Sequence, residues 1–211
     1  MAHFRLKSDR LLEVRLEEET VMAMAGSMVA YEGSVKFEKA ILSGEGLLGI
    51  VKRKLTSETV ELMLSKGTGT VYFAHQAQEV SIIALEGEKL FVESSNLLAF
   101  DDNLKTSVAF AGLRGATSGQ GLFTTTLKGI GSVAILSEGN LIMLAVSPAY
   151  PLCVDPDAFI GYKGELQQEF IFDINWKTTV GESSGESYQL KFTGNGVVYI
   201  QPSERQRKGN I

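Results

Sequence analysis

One motif occurs three times in this chain of 211 residues, and no other property of the sequence limits the possible folds as strongly. In each copy two glycines flank a single residue and precede a run in which every second residue is apolar. The copies are Gly67–Phe73 (GTGTVYF), Gly129–Ile135 (GIGSVAI) and Gly194–Ile200 (GNGVVYI). Apolar residues at alternate positions are typical of a β-strand with one buried face. We therefore predict a strand after each glycine pair, with the glycines supplying positive φ in a tight turn before it.

Two further motifs recur in the same order along the chain. The first follows an apolar run and a polar turn, and its copies are Met28–Tyr31 (MVAY), Leu97–Phe100 (LLAF) and Phe159–Tyr162 (FIGY). The copies of the second are Ser43–Leu48 (SGEGLL), Ser118–Phe123 (SGQGLF) and the weaker Ser184–Tyr188 (SGESY). Ordered repetition of this kind indicates diverged copies of one structural unit. We assign the units to about residues 12–75, 80–137 and 141–203.

The pattern predicts an all-β fold of short strands separated by turns. The chain has 22 glycines and only 4 prolines, which favours tight turns over flexible linkers. We expect three pseudo-repeated β-sandwich units that pack with pseudo-threefold symmetry as one globular body over residues 1–211, with a flexible tail at 204–211. Helix is plausible only near Gly49–Lys54 and Ser57–Ser65, and Val60–Leu64 fits an alternating strand equally well.

Composition narrows the possible partners. Hydrophobic residues make up 44% of the chain, enough for a core that needs neither metals nor disulfides. The net charge of −5 disfavours nucleic acid, because a phosphate-binding protein usually presents a basic face. We interpret the basic clusters Lys52–Lys54 and Arg205–Lys208 as solvated surface.

The cellular compartment is inferred from three absences in the sequence. The single cysteine, Cys153, has no partner for an intramolecular disulfide, which fits a reducing compartment. The first residues carry charge before any apolar run, so no secretory signal is expected. The best apolar stretch, Leu141–Val146, is far too short to span a membrane. We therefore expect a cytoplasmic protein without a membrane span.

Few residues are suited to catalysis or metal binding. Only His3 and His75 are available for a catalytic triad or a zinc site, and we expect His3 to be mobile and His75 to lie at a surface or rim. Cys153 lies in an apolar run, which favours a buried, inert thiol. Gly44–Gly49 matches the dinucleotide-binding fingerprint but lacks the alternating strands and helices that this motif requires, so we interpret it as a turn. We predict no catalytic residue, no cofactor and no metal, and no enzymatic activity.

The acidic pairs Asp101–Asp102 and Asp155–Asp157 follow predicted strands, where aspartate is favoured in turns. The only tryptophan, Trp176, alternates with polar residues, which favours packing in the core or at an interface. An enzyme that uses Asp155, Asp157 or His75 stays an alternative, and it requires a deep pocket where titratable groups converge.

The ordered triplication of these motifs, from about Leu12 to Ser203, resembles the altered-inheritance-of-mitochondria protein twenty-four family. The resemblance implies units similar to the tryptophan-regulated RNA-binding attenuation protein, of the double-stranded β-helix kind, three per chain. It also implies association of chains as trimers that complete a ring-like arrangement. It supplies no catalytic residues.

Two hypotheses for function follow. The first is a non-enzymatic scaffold or protein-interaction module that acts as a homo-oligomer, with partners that the sequence does not identify. The alternative is binding of a small ligand or RNA at interfaces between repeats or subunits, by analogy with the attenuation protein.

Overall fold

The computed structural model describes residues 1–40, 61–114, 120–172 and 188–203. These residues form strands and one short 3-10 helix at Ser94–Asn96, so the prediction of an all-β fold is confirmed. The strands are β1 (His3–Ser8), β2 (Leu11–Met24), β3 (Met28–Ala40), β4 (Leu62–Phe73), β5 (Glu79–Glu93), β6 (Leu97–Asp101), β7 (Lys105–Arg114), β8 (Gln120–Ser137), β9 (Ile142–Val146), β10 (Leu152–Val154), β11 (Phe159–Phe172) and β12 (Tyr188–Ile200).

The described strands join in one 12-stranded sheet. Its main path runs β10-β12-β11-β5-β8-β6-β2-β4-β3, while β1 pairs with β2, β7 with β8 and β9 with β12 beside that path. Each of these pairings is antiparallel. The path does not return to its first strand, so β10 and β3 are its two outer strands in the described part of the chain.

The motif that follows each polar turn opens a strand. Met28–Tyr31 begins β3, Leu97–Phe100 begins β6 and Phe159–Tyr162 begins β11. The strand before each motif is β2, β5 and β10 respectively, as the apolar runs in the sequence predict. The order of strand, turn and strand therefore holds at all three positions.

The glycine pairs lie inside β4, β8 and β12, so the prediction that they form turns before the strands is wrong. Positive φ is nevertheless present, at 139° for Gly67 and 115° for Gly194. A Cβ on Gly67 would lie 2.1 Å from the carbonyl oxygen of Ser34 in the adjacent strand. One on Gly194 would lie 2.2 Å from the carbonyl oxygen of Glu165. The glycines therefore allow two long strands to approach each other closely.

The alternation after each glycine pair faces the core as predicted. The side chains concerned are fully or almost fully buried at Val71, Phe73, Val133, Ile135 and Val198, while Ile200 is partly buried against the same core as Val198. The buried apolar side chains of the described residues form three clusters, whose largest members include Phe73 in the first, Phe100 in the second and Phe159 with Phe192 in the third. Burial of each such side chain contributes about 1.5–3 kcal/mol.

Two long strands contain a bulge near their middle. Glu18 in β2 has a φ of 68°, and the register of β2 against β4 shifts there. Gly87 in β5 has a φ of 112°, and the register of β5 against β8 shifts there. In both strands a glutamate follows the residue with positive φ, and its carboxylate accepts the backbone N–H of the residue that precedes the bulge. Glu19 accepts from Glu17, and Glu88 accepts from Glu86. Beyond the bulges, the end of β2 also pairs with β6 and the end of β5 also pairs with β11.

The two regions with helical potential have different outcomes. Residues 62–65 belong to β4, which pairs with both β2 and β3, so the strand alternative is correct there. Residues 49–54 lie outside the described part of the chain, as do Ser43–Leu48, Lys52–Lys54, Trp176, residues 184–187 and the tail at 204–211. No helix among the described residues has the length and apolar character needed to cross a membrane.

Candidate functional site: the outer edges of the sheet

The outer edge of β3 exposes apolar side chains. Val29 is 57% exposed and Tyr31 is 52% exposed, although both lie in a strand that pairs with β4 along its other side. The ring of Tyr31 contacts that of Phe37 edge-on, with centroids 5.1 Å apart. An unpaired strand edge with exposed apolar side chains is a template for another strand.

The opposite edge consists of β10 and the turn before it. In β10, Val154 is buried and Leu152 is half-buried against the core, whereas the side chain between them, Cys153, points outward and is exposed. Tyr150 is 79% exposed in the preceding turn. The prediction of a buried Cys153 is wrong, because alternation along the strand places this residue on the face that no described element covers.

Elsewhere in the sheet the same kind of edge is covered. The start of β6 is buried at every position and pairs with the end of β2, where Met22 lies opposite Phe100. The start of β11 pairs with the end of β5, where Phe91 lies opposite Tyr162. The strand starts at Leu97 and Phe159 are therefore protected, while the strand start at Met28 is open on its outer side.

The junction between β5 and β11 combines apolar and polar contacts. The rings of Phe91 and Tyr162 stack with centroids 4.4 Å apart and planes inclined by 10°. Beside them the Lys163 ammonium lies 3.2 Å from a Glu88 carboxylate oxygen. The pKa of Glu88 is lowered by its own backbone N–H and that of Glu86, and then by Lys163. This junction shows which side-chain chemistry joins two strands of this sheet.

A buried carboxylate closes the other junction. Asp101 is 3% exposed, and its two oxygens accept the backbone N–H groups of Ala2 at 3.2 Å and Ser132 at 2.8 Å. Burial raises the pKa of Asp101, and the two hydrogen bonds oppose that rise. The carboxylate thus ties the start of the chain to β6 and β8, which is a structural task.

The other residues with catalytic potential are dispersed. Asp155 forms a turn in which its carboxylate accepts the backbone N–H of Asp157 at 2.8 Å, as predicted for an aspartate after a strand. His75 is half-buried in the turn after β4. His3 lies in β1, where it is opposite Arg15 of β2. Among the described residues, no three histidine, cysteine or acidic side chains are grouped so as to hold a metal ion.

A row of three lysines crosses the sheet on one face. Lys89 in β5 lies opposite Lys128 in β8, which in turn lies opposite Lys105 in β7. All three are exposed. Sequence analysis missed this row, because its members are far apart in the chain and only strand pairing brings them together.

The fold and the two open edges define an all-β protein whose exposed features are strand edges. The chain matches the model of the family described as mitochondrial biogenesis AIM24 over residues 4–203, and it belongs to that family. Its fold is similar to that of a Streptococcus pyogenes protein solved by X-ray crystallography, with a TM-score of 0.72 and 20% sequence identity. The match covers 97% of this chain and 94% of that one. No curated protein matches this chain.

Proposed function

We propose that this chain is a non-enzymatic oligomeric scaffold or protein-interaction module that acts in the cytoplasm. The observation that carries the proposal is the exposure of Val29 and Tyr31 on the outer edge of β3. At the corresponding positions of the two later motifs, Leu98, Phe100, Ile160 and Tyr162 are buried. A strand edge whose apolar side chains are exposed in the single chain is suited to burial against another chain.

The proposal extends to the arrangement of the units. We propose three diverged units, similar to those of the attenuation protein and related by pseudo-threefold symmetry, in chains that associate as trimers. Support comes from the recurring pairing scheme, in which β4, β8 and β12 each lie between earlier strands of their own unit. The expected ring-like closure follows if each chain contributes the same three units in the same order.

Light scattering on the purified chain tests the oligomeric state. We expect a trimer for the wild type and a smaller species for Tyr31→Lys, because an edge lysine opposes strand addition. The matched control is Ile130→Lys, since Ile130 is 61% exposed but lies in β8, away from both outer edges. A monomeric wild type at micromolar concentration would contradict the proposal.

A second candidate function is binding of RNA or another polyanion, and the lysine row favours it. Three cations on one face, at Lys89, Lys128 and Lys105, repel one another unless an anion lies across them. Fluorescence anisotropy with a pool of single-stranded RNA tests this function. If these lysines bind phosphates, a plot of the logarithm of the association constant against the logarithm of the salt concentration should have a slope of about −0.7 for each phosphate contact. Replacement of all three lysines by glutamine should abolish binding. Absence of binding at low salt would eliminate the candidate.

A further inference from the structure

We propose that β10 of one copy of this chain pairs in antiparallel orientation with the outer edge of β3 of a second copy, with Cys153 opposite Tyr31. This interface rests on the proposed oligomeric function and deepens it, since it specifies the two strands that meet and their register. Two pairings inside the chain, β2 with β6 and β5 with β11, supply the geometry.

The two internal pairings follow one rule. In each, the last residues of the strand before the polar turn of one unit pair with the first residues of the strand after the polar turn of the next unit. The opposed residues are Ala23 with Ala99, Met22 with Phe100, Val92 with Gly161 and Phe91 with Tyr162. Each junction has one pair that joins a large apolar side chain to an aromatic ring. These pairs are Met22 with Phe100 and Phe91 with Tyr162.

Chain spacing identifies the counterpart of each residue in the third unit. The same number of residues separates Ala23 from Met28, Val92 from Leu97 and Val154 from Phe159. Val154 in β10 therefore corresponds to Ala23 and Val92, and Cys153 corresponds to Met22 and Phe91. In the same way, Tyr31 in β3 corresponds to Phe100 and Tyr162.

Applied to the unpaired ends, the rule places Cys153 opposite Tyr31 and Val154 opposite Ala30. The exposures support this pairing from the β3 side, because Tyr31 is 52% exposed whereas Phe100 is 1% and Tyr162 is 9% exposed. They support it from the β10 side as well, since Cys153 is exposed whereas its counterpart Met22 is 8% exposed. Both edges lack the cover that the internal junctions have.

The occupant of the β3 edge is a second copy rather than the chain's own β10. Among the described strands, β10 and β3 lie at the two ends of the sheet path and do not pair with each other. Val29 and Tyr31 therefore stay exposed in the single chain, although its own β10 is present. Each copy carries one edge of each kind, so the contact is head-to-tail. Such a contact continues from copy to copy until rotation closes it into a ring.

Disulfide trapping tests the register with the native thiol. Opposed residues of antiparallel strands have Cα atoms about 4.5–5.5 Å apart, within the range for a disulfide. In Tyr31→Cys oxidised with glutathione disulfide, we expect a ladder of covalent dimers and larger species on a non-reducing gel. The matched control Glu32→Cys introduces a thiol at the neighbouring position, on the other face of β3, and should give at least about tenfold less cross-linked product.

The outcomes separate this interface from oligomerisation itself. An internal disulfide, seen as a faster-migrating monomer, overturns pairing with a second copy. Equal cross-linking in the two variants, or none in an oligomer whose mass is unchanged, overturns the register and leaves the oligomeric function standing. A wild type that is monomeric by light scattering overturns both.

A second variant keeps the test independent of the folding of Tyr31→Cys. Cys153 is exposed, so Cys153→Arg should leave the folded chain intact by circular dichroism. It should raise the concentration at which the oligomer half-dissociates by at least about tenfold, because a charged side chain then opposes the β3 edge. An oligomer of unchanged stability would refute the proposed interface.

Discussion

The ring of Phe91 in β5 stacks on the ring of Tyr162 in β11, with centroids 4.4 Å apart. The two residues lie directly opposite each other in the pairing that joins β5 to β11. Stacked aromatic rings stabilise beyond their burial by about 0.5–1.5 kcal/mol. The contact joins two strands that are distant in the chain.

We predict that Tyr162→Ala lowers the free energy of unfolding by about 3 kcal/mol, because it removes a buried ring and the stacking of that ring on Phe91. Urea denaturation measures the effect, and a double-mutant cycle with Phe91→Ala should give a coupling energy of about 1 kcal/mol. Tyr31→Ala is the matched control, because Tyr31 holds the same place in β3 and is exposed in the single chain. Under conditions where the chain is monomeric, its effect should stay below about 1.5 kcal/mol, since the ring of Tyr31 has only its edge-on contact with Phe37 to lose.

Asp101 should link stability to pH. Its pKa in the folded chain is raised by burial, so protonation is favoured by folding. The stabilisation from this group is fully present below the pKa of the unfolded chain and is lost as pH rises through the raised folded pKa. We therefore expect the stability of the wild type relative to Asp101→Asn to fall as pH rises over that interval. Urea denaturation of both proteins at a series of acidic pH values measures it, and a pH-independent difference would contradict the assignment.

The hydrogen bonds to Asp101 also predict a loss at constant pH. Asp101→Ala leaves the backbone N–H groups of Ala2 and Ser132 without their acceptor. A buried donor without a partner costs about 1–3 kcal/mol. We expect a destabilisation of at least about 2 kcal/mol near neutral pH, together with loss of protection of the Ser132 amide in hydrogen exchange. An unchanged exchange rate at Ser132 would argue against the contact.

Gly67, which lies opposite Val35 where β3 pairs with β4, should not tolerate a side chain. At Gly67 a Cβ meets the Ser34 carbonyl oxygen at 2.1 Å, and φ is 139°. We expect Gly67→Ala to destabilise the fold by about 3 kcal/mol or more, because neighbouring backbone must move. Gly26 is the control, since it has a φ of 80° but no atom within 4 Å of the position that a Cβ would occupy. Gly26→Ala should cost only about 1 kcal/mol in thermal or urea unfolding.

The bulge in β2 offers a stabilising change. Glu18 has a φ of 68°, which costs a non-glycine residue about 1–2 kcal/mol. We predict that Glu18→Gly raises the free energy of unfolding by about 0.5–1 kcal/mol, because glycine adopts positive φ without this cost. The bulge in β5 already has a glycine, Gly87, at the position with positive φ. The neighbouring change Glu17→Gly should lower it, since Glu17 does not have positive φ. Thermal unfolding of the two variants beside the wild type decides the sign.

Strand positions and buried faces were predictable because they depend on local periodicity. Val71 and Phe73 alternate in the sequence and are both buried, and the motif at Met28–Tyr31 opens a strand. The candidate site was less accessible to prediction. Whether Tyr31 and Cys153 are covered depends on which strand lies beside each of them, and those neighbours are distant in the chain.

The sequence alone determined the all-β class, the alternating core positions and the family, because these follow from residue patterns along the chain. Tertiary structure decided the rest. It placed the glycine pairs inside strands, since the close approach of Gly67 to Ser34 arises only when two strands pair. It brought the Asp101 carboxylate to the Ala2 amide, and it left the edges of β3 and β10 open. Each of these depends on contacts between residues far apart in sequence, which local pattern does not specify.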